Sequence, residues 1–369
     1  MQIRCKKTDL LNSVNISLRA VTSKTTLPIL ECIVIEAQDN IIKLISNNQE
    51  LGIETIVKGE IIENGNIAIN AKLFSEIIRK LPDSDVTFTT NDSFMANIQC
   101  EKAKFNLMGK ASDEFPLLPT VETDKSIRVS DFALKEIIHQ TIFSVSDNES
   151  NKIMTGELFE IKGDIFKVVS LDGHRISIRK IQLHESYEDT RVIVPGKTLQ
   201  EISKILSGEM DQIVTISFTN KHILFSFDHT TVLSRLIEGE YYKIEQMLSD
   251  NYVTKVNVNN KELLSCIDRA SLLIREADKT PIVLNFQDEN LELKINSNMG
   301  SMKEDLDIKK EGKDILIGFN PKFLMDALRV IDDETVDIYL FNPKAPCFIK
   351  DKDENYIYLI LPINFNAVQ

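Results

Sequence analysis

An acid, a turn former, a base and a cation fall within four residues at Asp172-Gly173-His174-Arg175, and a hydrolase could use that set to move a proton. Such chemistry needs a nucleophile or a metal as a further member, and none is identifiable beside His174. Asp-Gly is first of all a turn former, and a lone histidine is more often structural. Gly196-Lys197-Thr198 resembles the end of a phosphate-binding loop, but that loop needs a glycine five residues earlier, where Arg191 stands. The five histidines (His139, His174, His184, His222 and His229) include no H-E-x-x-H spacing. The five cysteines (Cys5, Cys32, Cys100, Cys266 and Cys347) are odd in number and far apart, with no C-x-x-C pair. They are expected to be reduced packing residues. No catalytic residue, metal site or cofactor is expected, although an enzyme using Asp172 and His174 stays open as an alternative.

The elements that carry these residues recur. Ala71 to Leu81, Gly196 to Leu206 and Pro321 to Ile331 superpose without gaps, with Lys72, Lys197 and Lys322 spaced by the same interval. Each helical segment sits between apolar strand patterns, Asn66 to Asn70, Val192 to Pro195 and Asp314 to Phe319 before it, and Val86 to Thr90, Ile213 to Phe218 and Val336 to Phe341 after it. A second helical pattern opens each unit, at Leu10 to Val21, Phe132 to Val145 and Lys261 to Arg275. Strands at Ile41 to Ser46, Ile165 to Ser170 and Leu291 to Ser297 follow these helices in order. The pattern predicts three α+β domains of similar fold, over 1–124, 125–252 and 253–369.

At about 100° per residue, Phe74, Ile77, Ile78 and Leu81 form an apolar column, and Arg79 returns to within about 20° of Lys72 on the far side. Lys197 with Lys204, and Lys322 with Arg329, repeat that exposed pair of cations. Glu76, Glu201 and Asp326 lie four residues after the first cation, where ordinary surface ion pairs are the simpler expectation for any single helix. Recurrence in three units favours a shared function.

The chain has 369 residues, 43% hydrophobic and 27% charged, the composition of an ordinary globular protein with room for more than one core. No apolar run reaches the roughly 20 residues of a membrane span, and the amino terminus shows no signal-peptide pattern, so a cytoplasmic location is expected. With 43 Lys plus Arg against 56 Asp plus Glu, the net charge of -13 would repel nucleic acid unless the cations are segregated on one face. Six helices at about 9 Å spacing close into a circle with almost no opening, whereas twelve leave about 24 Å, enough for a duplex. A dimer of such chains could therefore enclose DNA. An oligomeric scaffold that never touches DNA is the other alternative.

Over nearly its whole length the chain resembles the bacterial sliding clamps, the β subunits of DNA polymerase III. The resemblance is carried by Thr26-Leu27-Pro28-Ile29-Leu30, Ser170-Leu171-Asp172-Gly173-His174-Arg175, Val192-Ile193-Val194-Pro195-Gly196-Lys197, Ile317-Gly318-Phe319-Asn320-Pro321 and Tyr358-Leu359-Ile360-Leu361-Pro362-Ile363. It implies a head-to-tail homodimeric ring with helices lining the pore. Such a ring is threaded by double-stranded DNA without regard to sequence, tethers the replicative polymerase and catalyses nothing. Implied DNA-facing residues are Lys24, Lys72, Arg79, Lys152, Lys197, Lys204, Lys322 and Arg329. The implied dimer seam joins Phe105 and Leu107 to Leu272 and Leu273 of the other copy.

Implied partners are the polymerase III catalytic subunit, the clamp loader, and other polymerases and repair proteins that carry a short peptide motif. Their implied cleft is built by Met154, Leu171, Gly173, His174, Arg175 and Ile176, with Tyr242, Met247, Asn320 and the run Leu359, Ile360, Leu361, Pro362 and Ile363. Flexible aliphatic and methionine side chains suit several peptides, and Asn320 could hydrogen-bond an extended backbone. Tyr242 replaces the family's proline, and Gln246 and Asn364 stand where arginine is usual. The tail from Asn366 to Gln369 has no assigned role.

Overall fold

The computed structural model describes residues 1–23, 25–116, 118–119, 121, 125–248, 251–275 and 280–365. Among these residues six α-helices form: α1 Lys7–Ser17, α2 Ala71–Lys80, α3 Asp131–His139, α4 Gly196–Ile205, α5 Asn260–Ser271 and α6 Pro321–Leu328. The starts of α2, α4 and α6 keep the equal spacing seen in the sequence. Asn70 caps α2 by accepting the Leu73 N–H at 3.0 Å, Asn320 caps α6 by accepting the Lys322 N–H at 3.0 Å, and Pro321 supplies the fixed φ suited to a first helical position.

The opening helices are shorter than their sequence patterns. Just past α3 the Thr141 hydroxyl donates to Ile137 O at 2.7 Å, and the Thr141 N–H turns to Ile138 O, where the helix gives way to a 3₁₀ turn at Ile142–Ser144. α5 ends through tightened bonds from Leu272, Leu273 and Ile274 to carbonyls three residues back. α1 likewise passes into a 3₁₀ turn at Leu18–Ala20.

Packing divides the chain into two compact units, residues 1–134 with 201–236, and residues 135–200 with 237–369. The first unit has two antiparallel sheets. One runs, in spatial order, Gly59–Glu63, Gln2–Lys6, Asp85–Thr90, Met95–Cys100 and Ala103–Met108. The other runs Lys125–Ser130, Ile213–Phe218, His222–Phe227, Thr230–Arg235, Leu51–Val57, Ile41–Asn47, Cys32–Gln38 and Gly65–Asn70. In the second unit a single sheet order runs Gly156–Leu171, Arg175–Pro195, Tyr356–Ile360, Cys347–Lys350, Thr335–Leu340 and Thr254–Asn259. It continues through Gly300–Gly312, Asn290–Ser297, Ile282–Gln287 and Ile315–Phe319.

Helices cover these sheets through their apolar columns. Leu10 and Val14 of α1 meet Phe74, Ile77 and Ile78 of α2 over Ile3, Ile33, Leu44 and Phe88. In the second unit, Leu263 and Ile267 of α5 and Leu324 and Leu328 of α6 lie over Val256, Leu293, Phe319 and Ile338. Truncating any of these to alanine should cost about 2–5 kcal/mol. All five cysteines are buried free thiols, and burial pushes the Cys5 thiol up to about 12, so these residues serve packing.

Two strand pairings join successive repeats. Thr230–Arg235 lies antiparallel to Leu51–Val57, with Thr230 opposite Thr55 and Ser234 opposite Leu51. In the second unit Tyr356–Ile360 lies antiparallel to the start of Arg175–Pro195, with Tyr356 opposite Arg179 and Ile360 opposite Arg175. The last strand of one repeat thus completes the sheet of the repeat before it, which is why the compact units do not follow the three-part division of the sequence.

Candidate functional site

Exposed cations recur on the second helix of each repeat. Lys72 and Arg79 on α2, Lys197 and Lys204 on α4, and Lys322 in α6 are exposed, as are Arg329, just past the end of α6, and Lys152, in a 3₁₀ turn at Lys152–Thr155. Lys24 lies outside the described residues. Several cations have acidic neighbours. Lys204 Nζ is 2.7 Å from Glu201, which also meets Arg19 at 3.5 Å; Lys197 Nζ is 2.8 Å from Glu149; Arg329 is 3.7 Å from Asp268. Lys197 holds the Glu149 carboxyl below its ordinary range. These are open, water-exposed pairs of small worth, and a phosphate can compete for the cations. Glu201 pairs within its own helix with Lys204, three residues on, rather than with Lys197 four residues before it, and Asp326 turns away to Arg175.

Several residues expected of the partner cleft lie in or beside the loop 172–175. Asp172 closes it: Oδ1 accepts the N–H groups of His174 (2.9 Å) and Arg175 (3.1 Å), and Gly173 takes φ +89°, open to glycine at no steric cost. Asp172 is therefore committed to holding a turn, and the His174 ring is exposed and stacked on Phe323 at 6.2 Å. The Leu361 N–H donates to His174 O (2.9 Å) and the Ile363 N–H to Gly318 O (2.8 Å), which fixes the terminal run beside the loop and the strand before α6.

Buried Leu171, Ile176 and Leu359 form one apolar cluster with Phe348, Tyr241 and Ile244, and half-buried Met154 and Tyr242 pack against it. Met247 (47% exposed) and Leu361 (39% exposed) leave apolar surface uncovered, with Pro362 and Ile363 half-buried next to Leu361 in sequence. Ile360 is fully buried and faces the core. The Tyr242 hydroxyl accepts from Asn151 Nδ2 at 2.6 Å, an anchor unavailable to proline. Asn320 already uses Oδ1 as the α6 cap, leaving its amide N–H₂ for other partners. Arg175 is buried and bonded on all sides by protein groups, so it is not a surface donor.

The equivalent place in the first unit has different chemistry. There the Arg235 N–H donates to Glu50 O at 3.0 Å, matching the Leu361 to His174 bond. A cavity of about 340 Å³ is lined by Asn47, Gly52 and Arg235, among others, where the second unit has Leu171, Ile176 and Leu361. The backbone frame is shared, but the first-unit cavity mixes polar and apolar groups, Pro116, Leu118 and Leu233 lying among Asn47, Glu50 and Arg235.

Phe105 (38% exposed) and half-buried Leu107 lie on Ala103–Met108, which has one sheet neighbour, Met95–Cys100. Leu272 is 75% exposed, and half-buried Leu273 packs on the core beneath α5 and α6. A side chain added at Gly300 would come within 3.8 Å of Leu273, so Leu273 adjoins the start of Gly300–Gly312. Residues 300–307 of that strand pair on one side only, with Asn290–Ser297. Sequence reasoning missed this open edge, as well as Phe323 and Asp326 as partners of Arg175, because none carries a local pattern.

Comparison with known proteins gives a consistent picture. Family models for the N-terminal, central and C-terminal domains of the DNA polymerase III β subunit match residues 1–119, 128–243 and 245–364. A β sliding clamp of Staphylococcus epidermidis is 37% identical over 374 residues, covering 98% of this chain and 99% of its own. A solved structure from Eubacterium rectale, 61% identical, superposes with a TM-score of 0.96 over 99% of this chain and 100% of the other. The sliding clamp of Bacillus subtilis, 33% identical, superposes with a TM-score of 0.95 over 99% of each chain. Matched from end to end, with its three repeats in order, the chain belongs to the family of DNA polymerase III β subunits, the β sliding clamps.

Proposed function

We propose that two copies of this chain close head to tail around double-stranded DNA and tether the replicative polymerase, as a processivity factor without catalysis of its own. The observation that carries this reading is the repeated strand pairing. Within the chain, the last strand of the second repeat completes the sheet of the first, and the last strand of the third completes the sheet of the second. The operation leaves one edge of each kind without a partner in the chain, Ala103–Met108 and residues 300–307. Repeating it between copies joins those edges and, by two-fold symmetry, closes a ring of six modules.

Equivalent positions give the register of that seam. Ala103 follows its hairpin turn as Thr230 does, since Cys100 pairs with Ala103 and Phe227 with Thr230. Ile308 opposes Val258 as Gly59 opposes Cys5, which makes Glu304 the counterpart of Thr55. Phe105 would then face Met302 of the second copy, and Leu107 would face Gly300, above Leu273. Phe105, Leu107 and Leu273 would then share one contact, which supports the proposed seam.

The recurrent cations on α2, α4 and α6, with Lys152 and Lys24, are proposed to face the duplex, their contacts going to phosphates so that the ring can slide. The proposed domain limits are 1–124, 125–252 and 253–369. The apolar cleft around loop 172–175 is proposed to take the short peptide motif of the polymerase, clamp loader and other partners. Small-angle scattering at micromolar concentration tests the ring: a particle of twice the chain mass with a central void is expected, and compact single chains would contradict it.

A further inference from the structure

Arg175 stands among the cleft residues by position, yet its side chain is only 7% exposed. Three segments of the second unit grip its guanidinium. Nε donates to Asp172 Oδ2 at 2.8 Å, Nη1 donates to Asp326 Oδ2 at 2.7 Å, and Nη2 donates to the Phe143 carbonyl. The rings of Phe323 and Phe143 lie 4.2 Å and 5.5 Å from its central carbon. Burial works against this cation, but Tyr358, Asp326 and Asp172 more than offset it and hold its pKa above the usual guanidinium value.

The two carboxylates belong to different functional elements. Asp172 organises the loop that presents His174. Asp326 sits on α6 about 40° round from Lys322, on the helix face that also points toward Arg329. Phe323 of α6 stacks on both the Arg175 guanidinium and the His174 ring, and its carbonyl accepts the Tyr358 hydroxyl at 2.9 Å. One buried cation thus ties the cleft loop to the cation-bearing helix.

We propose that Arg175 is a positioning residue that sets the cleft loop against α6, so that peptide affinity depends on Asp326, which does not line the cleft. A planar fork held by two carboxylates and a carbonyl fixes direction as well as distance, which lysine cannot do. Removing one carboxylate leaves a buried cation short of charge, and the loop must shift to serve it. The inference rests on the cleft reading above.

The test is a titration with a labelled peptide carrying the clamp-binding motif of the polymerase III catalytic subunit, against the full-length protein and its variants. Asp326→Asn and Arg175→Lys are each expected to weaken binding about tenfold. Asp326→Glu should recover most of the affinity, and Asp326→Asn should be non-additive with His174→Ala in affinity although the two residues share no bond. A purely structural role would lower the melting temperature and leave the dissociation constant within twofold of wild type, which would overturn the inference. Arg175→Lys gives the same comparison where Asp326→Asn does not fold. Wild-type protein that ignores the peptide would overturn the cleft reading, and this inference with it; wild-type binding matched by Asp326→Asn would overturn this inference alone.

Discussion

Replacing Phe105 with alanine should break the proposed ring at both seams at once. Phe105 keeps 38% of its surface exposed in the single chain. For an aromatic side chain of roughly 200 Å², that is about 75 Å² available for burial against a second copy, worth about 2 kcal/mol. Two-fold symmetry places the same contact in each of two seams, so the dimer loses about 4 kcal/mol and its dissociation constant rises about a thousandfold. Sedimentation velocity over a nanomolar to micromolar series reads this directly, while an unchanged melting temperature at low concentration would show that each chain still folds. A dimer constant within threefold of wild type would refute the seam. The register has its own check. Opposed residues of an antiparallel pair lie within disulfide reach, and the native cysteines are all buried. Phe105→Cys with Met302→Cys should cross-link two copies under mild oxidation, whereas Phe105→Cys with Ser301→Cys should cross-link poorly; equal yields would contradict the register.

Reversing charge together at Lys72, Lys197 and Lys322 should reduce loading on DNA and polymerase processivity while the dimer stays intact by sedimentation; unchanged processivity would refute the DNA-facing assignment. Leu361→Asp, at an exposed cleft position, should abolish peptide binding with little change in melting temperature, and retained affinity would refute the cleft; Leu359 is a poorer probe because its burial makes a charge there unfold the strand. Glu157 is fully buried with no well-formed hydrogen bond to either carboxyl oxygen, and burial, only partly offset by the nearby Thr141 hydroxyl, raises its pKa well above the ordinary carboxyl range. The unfolded chain ionises near pH 4.3 while the folded chain holds its proton, so stability falls by about 1.4 kcal/mol per pH unit until the folded pKa is reached. Glu157→Gln should therefore raise the melting temperature at pH 8 and lose that advantage near pH 4; a pH-independent difference would contradict a neutral Glu157.

The helical repeat was legible because an apolar column at a 3.6-residue period is a local signal, whereas the caps Asn70 and Asn320 that start α2 and α6 emerge only in the folded chain. Helix ends were less legible, since the Thr141 side-chain bond just past α3 has no signature in the residue type alone. Pairing between repeats left no local mark, because strand Thr230–Arg235 reads the same whether its neighbour is Leu51–Val57 or solvent. The family resemblance alone assigned Arg175 to the expected cleft, but its partner Asp326 lies 151 positions away, and the folded chain is what shows that loop 172–175 and α6 share one buried ion pair.

Retention on circular against linearised DNA tests the encircling claim most directly. After loading by the clamp loader onto nicked circles and gel filtration in moderate salt, the protein should remain with the circles and be lost when a single cut opens them. Equal retention on both, or none on either, would contradict a closed ring around the duplex.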